Sequence, residues 1–172
     1  NVHARAYAAF GSLTQPPRFA AGGVSAVLQS ASLGTSLLIQ CAAAGAGFRY
    51  IVTSGNEADI HMPEWLEACV DDPETRIILA YLEGVGDGPA FMRAARRALA
   101  AGKPVVLIKA GNTEQGRRAA ASHTANLTGE YDVYRAAFRQ CGVIEVSDIP
   151  EAADMITCLG GGRLPAGRRV VV

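Results

Sequence analysis

The stretch RIILAYLEGVGDGPAFMRAARRALAAGKPVVLIKA, residues 76–110, decides the fold of this 172-residue chain. Residues 76–82 form an almost uninterrupted apolar run, which is typical of a strand buried on both faces of a sheet. Residues 89–101 follow with an Ala-rich helical pattern that ends at Gly102, and residues 104–110 form a second strand. Two apolar strands joined by a helix predict a parallel pair with a right-handed crossover.

The same alternation extends to both sides of this unit. The predicted strands are residues 23–29, 48–54 and 143–146, and the predicted helices are residues 32–44, 63–71, 131–140 and 148–159. Residues 112–121 are a weaker helical candidate, and residues 122–129 are predicted to form a loop. One face of the helix over 131–140 is expected to be buried, formed by Val133, Tyr134, Ala137, Phe138 and Cys141.

Continuous apolar strands separated by helices predict an α/β fold. The expected architecture is a doubly wound, mostly parallel sheet of about five strands, similar to flavodoxin in layout. Ligands of such sheets bind outside the carboxyl ends of the strands. The strands of this sequence end in polar or glycine residues at positions 29–30, 53–56, 82–84 and 109–111. Candidate functional residues are therefore expected at those four strand ends.

Composition and charge argue against several classes of protein. The chain has 16 Lys and Arg against 16 Asp and Glu and no basic tract, so a nucleic-acid or membrane-surface partner is not expected. No apolar run approaches the roughly 20 residues that a bilayer span needs, and the first residues lack a signal-peptide pattern. No metal site is expected either, because the cysteines lack ligand spacing. Cys41 and Cys69 lie in Ala- and Leu-rich stretches, where a free thiol is usually a small buried residue. We interpret the cysteines as reduced packing residues of a cytoplasmic protein: Cys41, Cys69, Cys141 and Cys158.

His123 and Glu83 are the candidate catalytic residues. His123 lies among small residues, at 121–125, where a ligand could approach the imidazole; the alternative is a histidine that only hydrogen-bonds its own loop. Glu83 ends an apolar strand just before Gly84, and from there a carboxylate could accept an imidazole N–H and fix its tautomer. A solvated loop acid or a helix cap is an equally good interpretation of Glu83.

Two other strand ends could contribute a phosphate or substrate site. Residues 30–34 open a helix, whose free N–H groups and positive dipole end favour an anion, although a serine there is usually only a cap. Ser54, Gly55 and Asn56 form a turn, and its position at a strand end makes it a candidate wall of the substrate pocket. A nucleophilic imidazole, an orienting carboxylate and a helix start together describe a covalent phosphate carrier that works through phosphohistidine.

Several short motifs occur in order along the chain: SGNEAD (residues 54–59), DPET (72–75), YLEG (81–84), KPVV (103–106), KAG (109–111), SHT (122–124), AAFRQ (136–140) and GVI (142–144). In this order they resemble the NDP-forming acyl-CoA synthetases, relatives of the succinyl-CoA synthetase alpha subunit. The resemblance is to the middle, flavodoxin-like ligase domain of that family, and it spans nearly the whole chain.

The resemblance implies a reaction and a role for individual residues. Family members form acyl-CoA from an organic acid and CoA while ATP becomes ADP and phosphate, through an acyl phosphate and a phosphorylated histidine. The resemblance places that histidine at His123 and its orienting glutamate at Glu83. It implies that the phosphate is bound by Gln29, Ser30, Ala31, Ser122, Thr124 and Ala125. Phosphate on His123 is the one covalently held group expected, whereas CoA and ATP with Mg are substrates of the whole enzyme.

The resemblance also predicts the neighbours of this domain. Residues 1–20 are expected to link it to an N-terminal CoA-binding Rossmann domain, and residues 21–160 form the ligase domain itself. Residues 161–172 are expected to be a linker and the first strand of a following domain. An ATP-grasp domain or subunit and a small organic acid are the other expected partners. Family members usually assemble as dimers or heterotetramers, so a homo-oligomer is one expected state.

Two positions depart from the family motifs. Ala31 and Ala125 stand where the family usually has the glycines of SQSG and SHTG. If either backbone needs a positive φ, alanine there costs roughly 1 kcal/mol. These changes motivate a second hypothesis, a degenerate ligand-sensing ligase-like domain of a protein lysine acetyltransferase. A third, a flavodoxin-like cofactor binder, is opposed by the scarcity of aromatic residues at the strand ends.

Overall fold

The computed structural model describes residues 1–8, 19–111, 131–161 and 167. Within these residues, strands and helices alternate along the chain. The strands are β1 (Ala21–Leu28), β2 (Phe48–Thr53), β3 (Ile77–Leu82), β4 (Val105–Lys109) and β5 (Ile144–Val146). The helices are α1 (Ala31–Ala43), α2 (Met62–Asp71), α3 (Gly88–Ala100), α4 (Tyr131–Cys141) and α5 (Ile149–Gly160).

The five strands form one sheet in the order β2-β1-β3-β4-β5. Every neighbouring pair is parallel, so each connection must cross over the sheet. The order reverses at β1, which lies between β2 and β3, as in the flavodoxin-like variant of doubly wound sheets. The prediction of a doubly wound, parallel sheet of about five strands is confirmed.

Both faces of the sheet are covered, which explains why the strands are apolar without alternation. Successive residues of a strand point to opposite faces. Leu79 therefore packs on the side covered by α1 and α5, whereas Ile78 packs on the side covered by α2, α3 and α4. All six residues of β3 are buried, which makes it the centre of the fold.

Helix α1 is seated closely against the end of β1. Ser30 caps its start, and the hydroxyl of Ser30 accepts the backbone N–H of Leu33 at 3.4 Å. Gly34, in the first turn, packs against Leu28; a Cβ added at Gly34 would lie 2.8 Å from a methyl carbon of Leu28. The absence of a side chain at Gly34 therefore lets the N-terminus of α1 approach the carboxyl edge of the sheet.

Two packing predictions are wrong. Val133 was expected on the buried face of α4 but is 65% exposed, because the line of α4 that meets α3 runs through Tyr134, Phe138 and Cys141 and leaves Val133 beside it. Cys158 is exposed on α5, unlike the other three cysteines. Burial raises the pKa of Cys41 and of Cys69 to about 11, so these two thiols stay protonated at neutral pH.

The remaining predicted segments lie outside the described residues. They are the helix over 112–121, the loop over 122–129 and the strand over 168–172. Within the described ranges, no helix is both long enough and apolar enough to cross a membrane.

Candidate functional site

The carboxyl ends of β1, β2, β3 and β4 lie side by side on one edge of the sheet. Leu28 pairs with Thr53 of β2 and with Tyr81 of β3, and Leu82 pairs with Lys109 of β4. This register gathers the residues that follow each strand. Among them are the predicted site residues Gln29, Ser30, Ser54 and Glu83.

The side chain of Gln29 joins the ends of β1 and β3 and the turn after β2. Its Oε1 accepts the backbone N–H groups of Glu83, at 2.5 Å, and Gly84, at 3.1 Å. Its Nε2 donates to the carbonyl of Gly84 at 2.9 Å and to Oε1 of Glu57 at 2.8 Å. Gln29 is only 6% exposed, and both hydrogens of its amide are used on protein atoms. The geometry therefore gives this side chain a positioning role.

Glu57 is a buried carboxylate that the sequence did not single out. It is 6% exposed, and its Oε1 accepts the hydroxyl of Ser54 at 3.0 Å as well as the Gln29 amide. Its backbone has a φ of 54°, in the left-handed region that non-glycine residues seldom adopt. His61 Nδ1 is 3.8 Å from Oε2 of Glu57, which is too far for a hydrogen bond. A glutamate in a polar turn gives no sequence signal of burial.

The predicted substrate-pocket residues form the tip of the same turn. Ser54 is half-buried, and its N–H donates to the carbonyl of Leu28 at 2.9 Å. Gly55 has a φ of 58°, and both Gly55 and Asn56 are exposed. The turn is thus anchored by Ser54 and Glu57, while its tip remains accessible to a ligand. Its role in substrate binding stays a prediction.

The start of α1 has the features of an anion site without strain. The first N–H groups of a helix have no intrahelical acceptors, and here they open next to the strand ends. Among the described non-glycine residues, only Arg5 and Glu57 have a positive φ, so Ala31 lies in an ordinary conformation. The alanine at this position therefore imposes no backbone cost, and its side chain is exposed.

Glu83 lies at the centre of this edge, directly after β3. It is half-buried, and its carboxylate makes no hydrogen bond or ion pair with another described residue. The predicted nucleophile, His123, lies outside the described residues, so its contact with Glu83 stays a prediction. The same holds for the predicted phosphate-binding residues Ser122, Thr124 and Ala125.

Lys109 is a second buried charged residue that the sequence did not single out as functional. It is 3% exposed, and its Nζ donates to the carbonyls of Glu83, at 2.8 Å, and Ala110, at 2.7 Å. The ammonium also lies 4.6 Å from the centre of the Tyr134 ring. Burial lowers the pKa of Lys109 to about 8, although the negative charges of Glu83 and Glu145 oppose this shift.

Burial and a neighbouring charge also affect the pKa of Tyr81, the residue two positions before Glu83. Desolvation raises the pKa of Tyr81 to about 12, and the negative charge of Glu83 acts in the same direction. The Tyr81 hydroxyl therefore remains neutral at physiological pH. It cannot act as a general base at this edge.

A groove of about 790 Å³ lies at the opposite, amino-terminal edge of the sheet. Its walls include Gly22, Gly47, Arg76 and Lys103, whereas none of the predicted site residues lines it. Ligands of parallel sheets bind at the carboxyl edge, so the groove is not our candidate site despite its size. No group of His, Cys, Asp and Glu residues within the described ranges could hold a metal ion.

Comparisons with known proteins agree with this architecture. Residues 21–159 match the family described as the succinyl-CoA ligase like flavodoxin domain. The alpha subunit of an ADP-forming acetate–CoA ligase from Pyrococcus furiosus is 42% identical over 151 residues, which is 88% of this chain and 32% of that protein. A 4-hydroxybutyrate–CoA ligase from Nitrosopumilus maritimus, also ADP-forming, is 32% identical over 88% of this chain and 22% of that protein.

A solved structure gives the same result in three dimensions. The dinucleotide forming acetyl-coenzyme A synthetase 1 of Ca. Korarchaeum cryptofilum, in complex with phosphate and ADP, superimposes with a TM-score of 0.82 at 36% identity. The match covers 88% of this chain and 33% of that one. This chain thus spans about a third or less of the proteins it is compared with here.

Proposed function

Because the chain belongs to the succinyl-CoA ligase like flavodoxin domain family, we propose that it is the phosphohistidine-bearing domain of an ADP-forming acyl-CoA synthetase. The whole enzyme would make acyl-CoA from an organic acid, CoA and ATP and release ADP and phosphate. The observation that carries the proposal is the position of Glu83. It follows the central strand, beside the start of α1, and its carboxylate makes no hydrogen bond or ion pair with another described residue.

The chemistry that we propose is a relay of one phosphoryl group. The neutral imidazole of His123 attacks the γ-phosphorus of ATP; an N–P bond forms, and the bond to the ADP oxygen breaks. The carboxylate of Glu83 accepts the other ring N–H and stabilises the positive charge that develops on the imidazole. The carboxylate of the organic acid then takes the phosphoryl group from nitrogen to give an acyl phosphate. The CoA thiolate attacks its carbonyl carbon, and phosphate leaves.

The start of α1 supports the anionic steps of this relay. Backbone N–H groups at a helix N-terminus bind phosphate oxygens, and the dipole end favours their negative charge. Ser30 and Ala31 supply this part of the site, with Ser122, Thr124 and Ala125 proposed for the other part. Gln29 contributes through the backbone that it fixes, since its side-chain amide is fully engaged.

The remaining functions are proposed to belong to other parts of a longer enzyme. The curated relatives are about three times as long as this chain or longer, and one of them is a subunit alpha. An ATP-grasp domain or subunit would bind ATP with Mg, and a Rossmann domain would bind CoA. Residues 1–20 and 161–172 stay predicted connections to neighbouring domains. The organic acid would approach the turn of residues 54–56, whose exposed tip does not specify its size.

The second candidate, a ligand-sensing domain that has lost turnover, rests on Ala31 and Ala125. Ala31 no longer supports this candidate, because its backbone is not left-handed and alanine is accommodated there without strain. Ala125 lies outside the described residues and keeps the alternative testable. Turnover and sensing differ in one measurable property, which is transfer of phosphate to the chain.

The test is phosphorylation of the full-length protein with ATP labelled at the γ-phosphate, in the presence of its ATP-grasp domain or subunit. We expect acid-labile, base-stable label that His123→Ala abolishes and that His3→Ala retains. His3 is a matched control, because its ring bonds the carbonyl of Gly22 at the opposite edge of the sheet. Label that survives His123→Ala would refute the assignment, and no label under conditions that phosphorylate an active relative would favour the sensing domain.

A further inference from the structure

The three residues after β3 are held by side chains from other elements. The N–H of Glu83 and both backbone groups of Gly84 bond the amide of Gln29. The carbonyl of Glu83 accepts Nζ of Lys109 at 2.8 Å. The N–H of Val85 donates to the hydroxyl of Tyr134 at 3.2 Å. Five consecutive backbone groups thus have side-chain partners, and these partners come from the end of β1, the end of β4 and α4.

This arrangement differs from an ordinary loop after a strand. The backbone pairing of β3 with β4 ends where the N–H of Ala110 donates to the carbonyl of Leu82 at 2.8 Å. Beyond that point the backbone groups of most surface loops bond water. Here they bond Gln29 and Lys109, which are 6% and 3% exposed. Burying an amide and an ammonium is unfavourable unless their hydrogen bonds are made, so the contacts require one loop geometry.

We propose that Gln29, Lys109 and Tyr134 are positioning residues for the carboxylate of Glu83. They fix the backbone from which that side chain extends, so that the carboxylate meets the imidazole of His123 in one orientation. This inference rests on the proposed function, in which Glu83 orients the nucleophile. Catalytic groups displaced by about 1 Å lose rate steeply, which is why a tightly held backbone at this point matters.

Each member of this clamp (Gln29, Lys109 and Tyr134) is itself held by a neighbouring side chain. The Tyr134 ring lies 4.6 Å from the ammonium of Lys109, and a hydroxyl on the same ring holds Val85. The ring packs on Phe138, with centroids 6.0 Å apart, and this contact fixes it to the core of α4. On the other side, the carboxylate of Glu57 accepts Nε2 of Gln29 and orients its amide. The clamp, together with Glu57, therefore connects α4 with the turn after β2.

Tyr134→Phe is the sharpest test, because it removes one hydroxyl and keeps the ring that packs on Phe138. In the full-length protein with its ATP-grasp domain or subunit, we expect amide exchange at residues 83–85 to rise roughly 3- to 10-fold. We expect the rate of His123 phosphorylation to fall by a similar factor, with the KM for ATP unchanged, because this hydroxyl acts on the loop backbone through the N–H of Val85. A role confined to fold stability would raise amide exchange throughout the domain and not selectively at these amides, and it would leave the rate in the folded protein unchanged.

Tyr131→Phe is the matched control on the same helix. The Tyr131 hydroxyl donates to Glu145 at 2.5 Å and does not touch the loop, so exchange and rate should both stay at the wild-type values. Gln29→Met serves as the second variant should Tyr134→Phe not fold, and it should increase exchange at residues 83 and 84. Unchanged exchange in a folded Tyr134→Phe or Gln29→Met variant would show that the clamp does not hold the loop.

Glu83→Gln separates the failure of this inference from the failure of the proposed function. Normal phosphorylation in Glu83→Gln would remove the orienting role from Glu83, and the proposed function would fail at that residue. A phosphorylation rate that depends on Glu83 but is unaffected by Tyr134→Phe, in a protein whose loop amides exchange faster, would overturn the clamp as a positioning device. Faster exchange together with a slower rate supports it.

Discussion

Two lysines near the opposite ends of β4 have different tasks. Lys103 precedes the strand, and its Nζ donates to the carbonyls of Cys69, Val70 and Asp72 at 2.6 to 3.3 Å, where α2 ends. Lys109 is the last residue of the strand, and its Nζ donates to the carbonyl of Glu83 in the loop after β3. The first lysine completes a helix, whereas the second fixes a loop that carries a candidate catalytic residue.

The difference teaches how the two edges of one sheet are used. The last carbonyls of any helix need partners, and a cation there also favours the helix dipole, so Lys103 has a sufficient structural reason. Among the described helices, none ends at Lys109, and the nearly complete burial of this lysine lowers its pKa to about 8. Keeping an unfavourable buried cation at the carboxyl edge is consistent with a requirement for geometry rather than for stability.

The largest effect is expected from a substitution of Glu83, the acid at the carboxyl edge, when it is compared with a substitution of an acid at the amino edge. Glu83→Gln in the full-length enzyme should slow His123 phosphorylation by about 100-fold, because the amide cannot stabilise the imidazole charge as a carboxylate does. Glu74→Gln is the matched control, since Glu74 is exposed and lines the groove at the amino edge. Initial rates with γ-labelled ATP measure both. Equal losses in the two variants would mean that the edges do not differ in function.

The lysines themselves should separate rate from stability. Lys109→Met should lower the phosphorylation rate of the folded enzyme roughly 10-fold, through loss of the bond that holds the loop. Lys103→Met should leave that rate unchanged and reduce the free energy of unfolding by about 1 to 2 kcal/mol, because the end of α2 loses its partner. Single-turnover rates and denaturant unfolding of both variants test this. The reverse assignment of the two effects would contradict our comparison.

The depressed pKa of Lys109 predicts a pH dependence of stability. The folded protein releases this proton near pH 8, whereas the unfolded chain releases it near pH 10.5. Between these two values the unfolded state binds more protons, so the free energy of unfolding increases as the pH rises. From pH 7.5 to 9 the contribution should be about 1 kcal/mol. Within the part of the chain that the structure describes, the charged and titratable neighbours that face Lys109 are Glu83 after β3, Glu145 on β5 and the phenol of Tyr134 on α4.

The measurement is the difference between the wild type and Lys109→Met in free energy of unfolding across this range. Buried thiols act in the opposite direction: the pKa of Cys41 and of Cys69 is raised to about 11, so their contribution falls as pH rises through and above 9. Both proteins contain these thiols, and the difference cancels them. Parallel curves for the two proteins would show that Lys109 is not buried as a cation.

The sequence was sufficient for the fold because the signal is repeated in every unit. Uninterrupted apolar runs such as residues 77–82 can only lie between two covered faces, and glycines such as Gly45 and Gly102 do end helices with a positive φ. The wrong prediction for Val133 also comes from this use of periodic patterns. A helical period identifies a face to within about one residue, and the neighbour against which α4 packs decides which residues turn inward.

The position of the candidate residues at the carboxyl edge was predictable from the sequence, but their contacts were not. Glu83 and Gln29 could be placed at the carboxyl edge because parallel strands align their ends. The contacts of Glu57, Lys109 and Tyr134 join residues 25 or more positions apart through side-chain rotamers, which no local pattern encodes. Charged residues are mostly exposed, so burial of Glu57 and Lys109 contradicts the best guess from sequence alone.

The smallest effect is expected at Ala31, which departs from the family motif at the carboxyl edge itself. Ala31→Gly restores the usual glycine, but the backbone already has an ordinary φ there, so no strain is relieved. The free energy of unfolding should fall by at most about 1 kcal/mol, because glycine is less favourable than alanine in a helix. The rate of His123 phosphorylation should stay within about twofold of the wild-type rate. A twofold change corresponds to less free energy than a single hydrogen bond contributes at the upper end of its usual range.

Ala31→Gly therefore distinguishes an adapted site from a degenerate one. A gain of 10-fold or more in the phosphorylation rate would show that the Cβ of Ala31 obstructs the phosphate, and it would favour a ligand-sensing domain over an enzyme. A rate near that of the wild type, with His123 labelled, would mean that the start of α1 accepts alanine because its N–H groups, and not the side chain at that position, contact the anion. The carboxyl edge would then tolerate substitutions of residues that act through their backbone N–H groups. It would not tolerate substitution of Glu83, which acts through the charge of its side chain.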